Sequence, residues 1–172
     1  MMGRMGFCDK WMKWIKTCPS FETISVLVNG NSTKDFRPKG GLRQGDPLEP
    51  FLFLIVAEGL AGLVREASRL GVLEGVKVGH KHVDVKLLQF ADDTLFFCQP
   101  KLNSILAIKT VLHCFEITSR LKVNFHKSHV GTIGVTDLDK AIFSKCLNCR
   151  CMGVPFKYLG MDIGGSPRSL AF

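Results

Sequence analysis

"KLLQFADDTLFF", residues 86–97, places two adjacent carboxylates, Asp92 and Asp93, inside a run that is otherwise apolar enough for a buried strand. Short apolar runs on either side of a polar break read as two strand halves. The acidic pair therefore belongs at a hairpin tip, with strands expected over 83–91 and 94–98. One reading makes the pair a turn and nothing more, since Asp tolerates the left-handed backbone that hairpin turns demand. The other makes it a ligand set for a hard cation. Mg²⁺ takes one or two carboxylates together with water and substrate phosphates, and carboxylates this close repel unless a cation or proton intervenes. Phosphoryl-transfer sites use two such ions about 4 Å apart. Taken alone, the segment leaves both readings open.

The elements around it predict a mixed fold. Residues 5–17 repeat apolar side chains at helical spacing, with Lys10, Lys13 and Lys16 on the remaining surface. Trp11 and Trp14 read as packing, and the lysines as a solvated face, with phosphate contact the second reading. "FETISVLVNG" (21–30) is a strand ending in Asn-Gly, with "STKDFRP" (32–38) returning as its hairpin partner. From Asp46 a helix is expected to run to Leu70, capped by Asp46 and Glu49 and stopped by Gly71. Its first half is apolar nearly all round, which predicts burial on most sides. A strand near 76–78, helices over 102–119 and 136–147, and a last strand within 156–164 complete an α+β class with a largely antiparallel sheet.

The composition fits one globular domain: 172 residues, 46% hydrophobic and 22% charged, which excludes a disordered chain. A net charge of +8, scattered along the sequence, favours an anionic partner, nucleic acid ahead of a membrane surface. The greasiest stretch, Phe51 to Val64, is broken by Glu58 and too short to span a bilayer. Seven cysteines without a secretory leader read as reduced thiols, so the expected location is intracellular, nuclear or cytoplasmic.

A second segment narrows the choice. "PKGGLRQGDPLEPFLFLIVAEGL" (38–60) joins a Gly-rich loop, the guanidinium fork of Arg43 and the amide of Gln44 to a helix N-terminus, a natural place for anions. "GLRQGDPLEPFLF" (41–53) and "FADDT" (90–94) together resemble the B and C motifs of reverse transcriptases, specifically those of plant non-LTR (LINE-type) retrotransposons. "RLKVNFHKS" (120–128) is similar to the D motif, and "VPFKYLGMDIGG" (154–165) resembles the primer-grip region, followed by a "GG-PR" stretch, here "GGSPR". The segments from "MGFCDKWMKWIKTC" (5–18) to "SVLVNG" (25–30) look like the helix and hairpin between the A and B motifs. The matches follow the family's order along nearly the whole chain.

The resemblance implies a polymerase palm: an antiparallel sheet backed by helices, here a partial reverse transcriptase domain over 1–172, with its B-like motif at 40–53, C-like at 90–94, D-like at 120–128 and primer-grip-like region at 154–165. It implies Asp92 as the main metal ligand of this hairpin and Asp93 as its weaker neighbour, with two Mg²⁺ ions in the intact enzyme. Arg43, Gln44 and Gly45 would lie against template and incoming deoxynucleoside triphosphate, and Lys127 near the leaving pyrophosphate. Tyr158, Leu159 and Gly160 would hold the primer end. An RNA template with its DNA product is the implied partner, within a longer retrotransposon polyprotein.

The chain departs from the pattern in one respect that bears on activity. A two-metal site needs a third carboxylate from the A-motif strand, and Asp9, Asp35, Asp46 and Asp84 all lack that context. The fingers, A-motif strand and thumb are thus expected to be missing, and the chain by itself to be inactive. In addition, Ser119-Arg120 stands where the family has Ser-Gly. Two alternatives stay open: a non-enzymatic, basic nucleic-acid-binding remnant, and a small zinc module built on His126, His129, Cys146 and Cys149.

Overall fold

The computed structural model describes residues 2–17, 23–37, 45 and 47–165. They form two compact units, residues 1–59 and 60–172. In the first, a 3₁₀ turn (Met2–Met5) leads into helix α1 (Asp9–Thr17). Strands β1 (Leu27–Val28) and β2 (Asn31–Ser32) then pair antiparallel. The loop between them is Asn29-Gly30, with φ of 51° and 81°, a type I′ turn as its sequence predicts. A further bridge between Ile24 and Phe36 extends the hairpin.

Helix α2 runs from Glu49 to Arg69. At its start Glu49 Oε2 accepts the Gly45 N–H at 3.2 Å, a bond to the approaching chain, while the expected cap, Asp46, lies outside the described residues. Its end is a Schellman turn. Gly71, at φ 72°, donates to the Ser68 carbonyl, and Val72 donates to the Ala67 carbonyl. The chain then drops Leu73 into the core, where it is 1% exposed. Burial on α2 is narrower than its composition predicts. Leu60, Val64 and Ala67, spaced along one stripe of the second half, are buried, whereas Phe51 and Leu54 are each 64% exposed. Apolar residues all round a helix are covered only where other elements supply a surface.

In the second unit the expected single strand over 83–91 is divided at Lys86. Strand β3 (Val76–Val78) pairs with β4 (Val83–Val85), and β5 (Leu87–Phe90) with β6 (Asp93–Phe96), all antiparallel. Lys86 sits between the two ladders, its ammonium paired with the Asp84 carboxylate. Helix α3 (Leu102–Ser119) buries Ile105, Ile108 and Val111. Strand β7 (His129–Gly131), helix α4 (Asp137–Leu147) and β8 (Arg150–Met152) form a crossover unit whose two strands are parallel. Thr136 caps α4, its Oγ accepting the Asp139 N–H at 3.1 Å. The segment expected as one last strand is a hairpin instead: β9 (Phe156–Tyr158) pairs with β10 (Met161–Ile163) around Leu159-Gly160.

The class is α+β, as the sequence predicts, but the strands form separate two-stranded ladders among the described residues, four antiparallel and one parallel. Two apolar clusters hold the second unit. One joins Leu60, Val64, Ala67 and Leu73 to Ile108 and Val111; the other joins Ile105, Val130 and Phe143. Leu87 and Phe96, opposite each other at the base of the β5–β6 hairpin, pack on the first cluster. That contact fixes the hairpin root and leaves its tip in solvent.

The end of α3 explains a sequence oddity. Arg120 occupies a left-handed conformation at φ 61°, a position that suits glycine, as the Ser-Gly comparison suggests. We predict that Arg120→Gly raises stability by roughly 0.5–1 kcal/mol through relief of this conformation. Chemical denaturation of both proteins measures it; a less stable variant would mean that Arg120's side chain contributes more than the backbone relief.

Candidate active site

The carboxylate pair sits where the hairpin register demands. Phe90 and Asp93 are the last paired residues of β5 and β6, which leaves Ala91 and Asp92 as a two-residue loop. The positive φ, 50°, falls on Ala91 and on neither aspartate. A positive φ on the first loop residue alone is the pattern of a type II′ turn, which favours glycine there. The conformational argument for a plain Asp turn thus loses its footing: the strain rests on alanine, and neither aspartate serves as the left-handed residue. Both aspartates are exposed. Among the described residues, no hydrogen bond or ion pair engages either carboxylate. Side chains on Asp93's face of the hairpin include Leu88 and Phe90, 42% and 62% exposed.

The predicted primer-grip residues come to this hairpin through one atom. The Tyr158 hydroxyl, at the end of β9, donates a long hydrogen bond of 3.5 Å to the Asp93 carbonyl. Leu159 and Gly160 form the adjoining β9–β10 loop with φ of 51° and 83°, a type I′ turn. Sequence reasoning read this segment as one strand, although a residue followed by glycine between apolar runs is a hairpin signal. The contact with Asp93 spans 65 positions and has no local signature.

Lys127 lies in a loop braced by its own side chains and by Glu116 of α3. Glu116 Oε1 accepts the Val123 N–H at 2.9 Å, Asn124 Oδ1 accepts the Lys127 N–H at 3.2 Å, and Ser128 Oγ donates to the Asn124 carbonyl at 2.9 Å. The Lys127 side chain is exposed. Gly45 belongs to the other unit, with φ 86° and its N–H on Glu49. Arg43, Gln44 and Asp46 lie outside the described residues.

The zinc alternative finds no support. Among the described residues no group of three or more His, Cys, Asp or Glu side chains is placed to hold a metal. Cys98, Cys146 and Cys149 instead pack against the Ile105–Val130–Phe143 cluster. Burial pushes the Cys98 and Cys149 thiols up, and for Cys149 the neighbouring Cys151 adds to the effect. Zinc takes thiolates, so this environment works against it. These three cysteines act as small apolar fillers.

The family model of reverse transcriptase (RNA-dependent DNA polymerase) matches residues 2–163. The chain belongs to the reverse transcriptase family. The match runs through both compact units and through the B-, C- and D-like motifs, and ends within the primer-grip-like region, before the "GGSPR" stretch. Among curated proteins, an uncharacterized mitochondrial protein of Arabidopsis thaliana is 44% identical over 71 residues, 41% of this chain and 58% of the relative. A retrovirus-related Pol polyprotein from the type-2 retrotransposable element R2DM of Drosophila melanogaster is 30% identical over 118 residues, 67% of this chain and 10% of the relative. A Pol polyprotein from a type-1 R2 element of Popillia japonica is 30% identical over 126 residues, 73% of this chain and 17% of the relative. The chain thus spans less than two thirds of the length of each. The retrotransposon kinship expected from the motifs is found, with non-LTR R2 elements among the relatives. No helix among the described residues is long and apolar enough to cross a membrane.

Proposed function

We propose that this chain is the part of an RNA-directed DNA polymerase palm that carries the metal-binding hairpin, and that it works within a longer retrotransposon polyprotein. The observation that carries the reading is the hairpin tip: two exposed carboxylates without protein partners among the described residues, raised on a rooted hairpin in a chain of this family. Their chemistry fits Mg²⁺, which takes one or two protein carboxylates and completes its shell with water and phosphate oxygens. When bound, the ion supplies charge neutralisation at the transferring phosphate. Asp92 is the principal ligand and Asp93 the weaker one.

The remaining roles are assigned by the family's motifs. The Tyr158 hydroxyl holds the Asp93 main chain and thereby couples the β9–β10 hairpin, as primer support, to the acidic hairpin. Leu159 and Gly160 present the tight tip of that support. Lys127 offers its ammonium to the departing pyrophosphate. Arg43, Gln44 and Gly45 contact template and incoming deoxynucleoside triphosphate, and the +8 charge favours the phosphates of the RNA–DNA duplex. A two-metal site needs a further carboxylate beyond this hairpin, and we infer that the chain by itself does not synthesise DNA; Mg²⁺-dependent, template-directed synthesis by the purified chain would overturn this.

The metal assignment is tested on the chain directly. Manganese added at a few equivalents is expected to broaden the amide NMR signals of residues 90–94 selectively. The double variant Asp92→Asn, Asp93→Asn is expected to lose the effect. Broadening spread evenly over the surface, or unchanged in the double variant, would reject the assignment.

A further inference from the structure

Helix α1 carries a surface that the polymerase reading leaves unused. Its two tryptophans, the chain's complete set, behave differently. Trp11 is half-buried and stacks on Phe7, with ring centroids 4.3 Å apart and planes 15° from parallel. Met12 and Ile15 are also half-buried. At Trp11 the apolar stripe of the helix is thus engaged by the N-terminal segment. Trp14 is 57% exposed and lies elsewhere on the helix, four residues after Lys10. The Lys10 ammonium sits over the Trp14 ring, 5.1 Å from its centroid. Round the helix, at 3.6 residues per turn, Lys10 falls between Trp14 and the exposed Lys13. The packing expected for both tryptophans thus holds for Trp11 only.

We propose that the face formed by Lys10, Lys13 and Trp14 binds single-stranded nucleic acid, with a base stacked on the Trp14 ring and flanking phosphates held by the two lysines. A lone exposed aromatic requires no ligand. An exposed tryptophan set among lysines, in a chain of net charge +8, has the two elements that single-strand surfaces combine: an aromatic platform and cations tracking the backbone. The Lys10–Trp14 contact holds the ring and a cation together before a ligand arrives. The arrangement disfavours a membrane surface, because helices lying in that interface hold tryptophan on the face opposite their lysines. Here the apolar face is half-covered, with Phe7 stacked on Trp11, and the exposed ring shares the basic side. The proposal concerns the first unit alone and does not depend on Asp92 or Asp93.

The test uses the whole chain and an unstructured oligouridylate of roughly 12 nucleotides. Binding is expected to quench tryptophan emission, and the quench should persist in Trp11→Phe and vanish in Trp14→Leu. By anisotropy of labelled oligonucleotide, Trp14→Leu should weaken binding about ten-fold, with Trp14→Phe largely restoring it. Lys13→Gln should reduce the slope of log affinity against log salt by about 0.7, as one lost phosphate contact on a single strand would. Unchanged affinity in Trp14→Leu, or an unchanged salt slope in Lys13→Gln, would overturn the proposal. So would a Trp14 response to phosphatidylserine vesicles in the absence of any response to oligonucleotide. Far-ultraviolet circular dichroism checks that each variant keeps its helices; should Trp14→Leu lose them, the Lys13→Gln slope decides.

Discussion

In a polyprotein that contains this chain, Asp92→Asn is expected to lower template-directed DNA synthesis on the order of a thousand-fold or more, while affinity for the primer–template duplex stays unchanged. The size follows from what a metal ligand contributes: several kcal/mol of charge stabilisation at the transition state. Asparagine keeps the shape and removes the charge that holds the cation. Duplex affinity should survive because it comes chiefly from phosphate contacts spread over a basic surface. Asp93→Asn should cost less. The measurements are single-turnover primer extension with Mg²⁺ and, separately, duplex binding. Extension retained in Asp92→Asn would remove this residue from the metal site. Extension and binding lost together would assign it to architecture.

Leu73→Ala is expected to have the largest effect on stability, a loss of about 3 kcal/mol. Leu73 is 1% exposed and follows the Schellman turn of α2 into the cluster of Leu60, Val64, Ala67, Ile108 and Val111. Truncation there removes buried surface and leaves a cavity that two helices and a tight turn cannot easily close. Leu70→Ala is the matched control. Leu70 lies three residues earlier and is 61% exposed, so its loss should stay within about 0.5 kcal/mol. Urea denaturation of the three proteins measures both; equal effects would contradict the assigned core.

Local chemistry was legible from the residues. Asn29-Gly30 announced its hairpin, Gly71 its helix stop, and the acidic pair its place at a strand reversal. These features depend on a few neighbouring φ angles, and glycine, asparagine and proline report such angles directly. The division at Lys86 escaped because strand partners are chosen by distant segments: β4 pairs backwards with β3, and β5 forwards with β6. The exposure of Phe51 and Leu54 escaped for the same reason, since composition tells which faces prefer cover and not whether cover exists. At the site, the aspartates could be named from sequence, yet the left-handed residue proved to be Ala91, and the tyrosine contact joins segments far apart in the chain.

That contact has a genetic corollary. Tyr158 grips a main-chain carbonyl, a group that every amino acid supplies. Codon changes at position 93 can therefore erase, reverse or neutralise the charge without untying the two hairpins. Allelic series at Asp93 should consequently separate into electrostatic phenotypes alone, whereas Tyr158→Phe, which leaves both aspartates in place, removes the tether and nothing else.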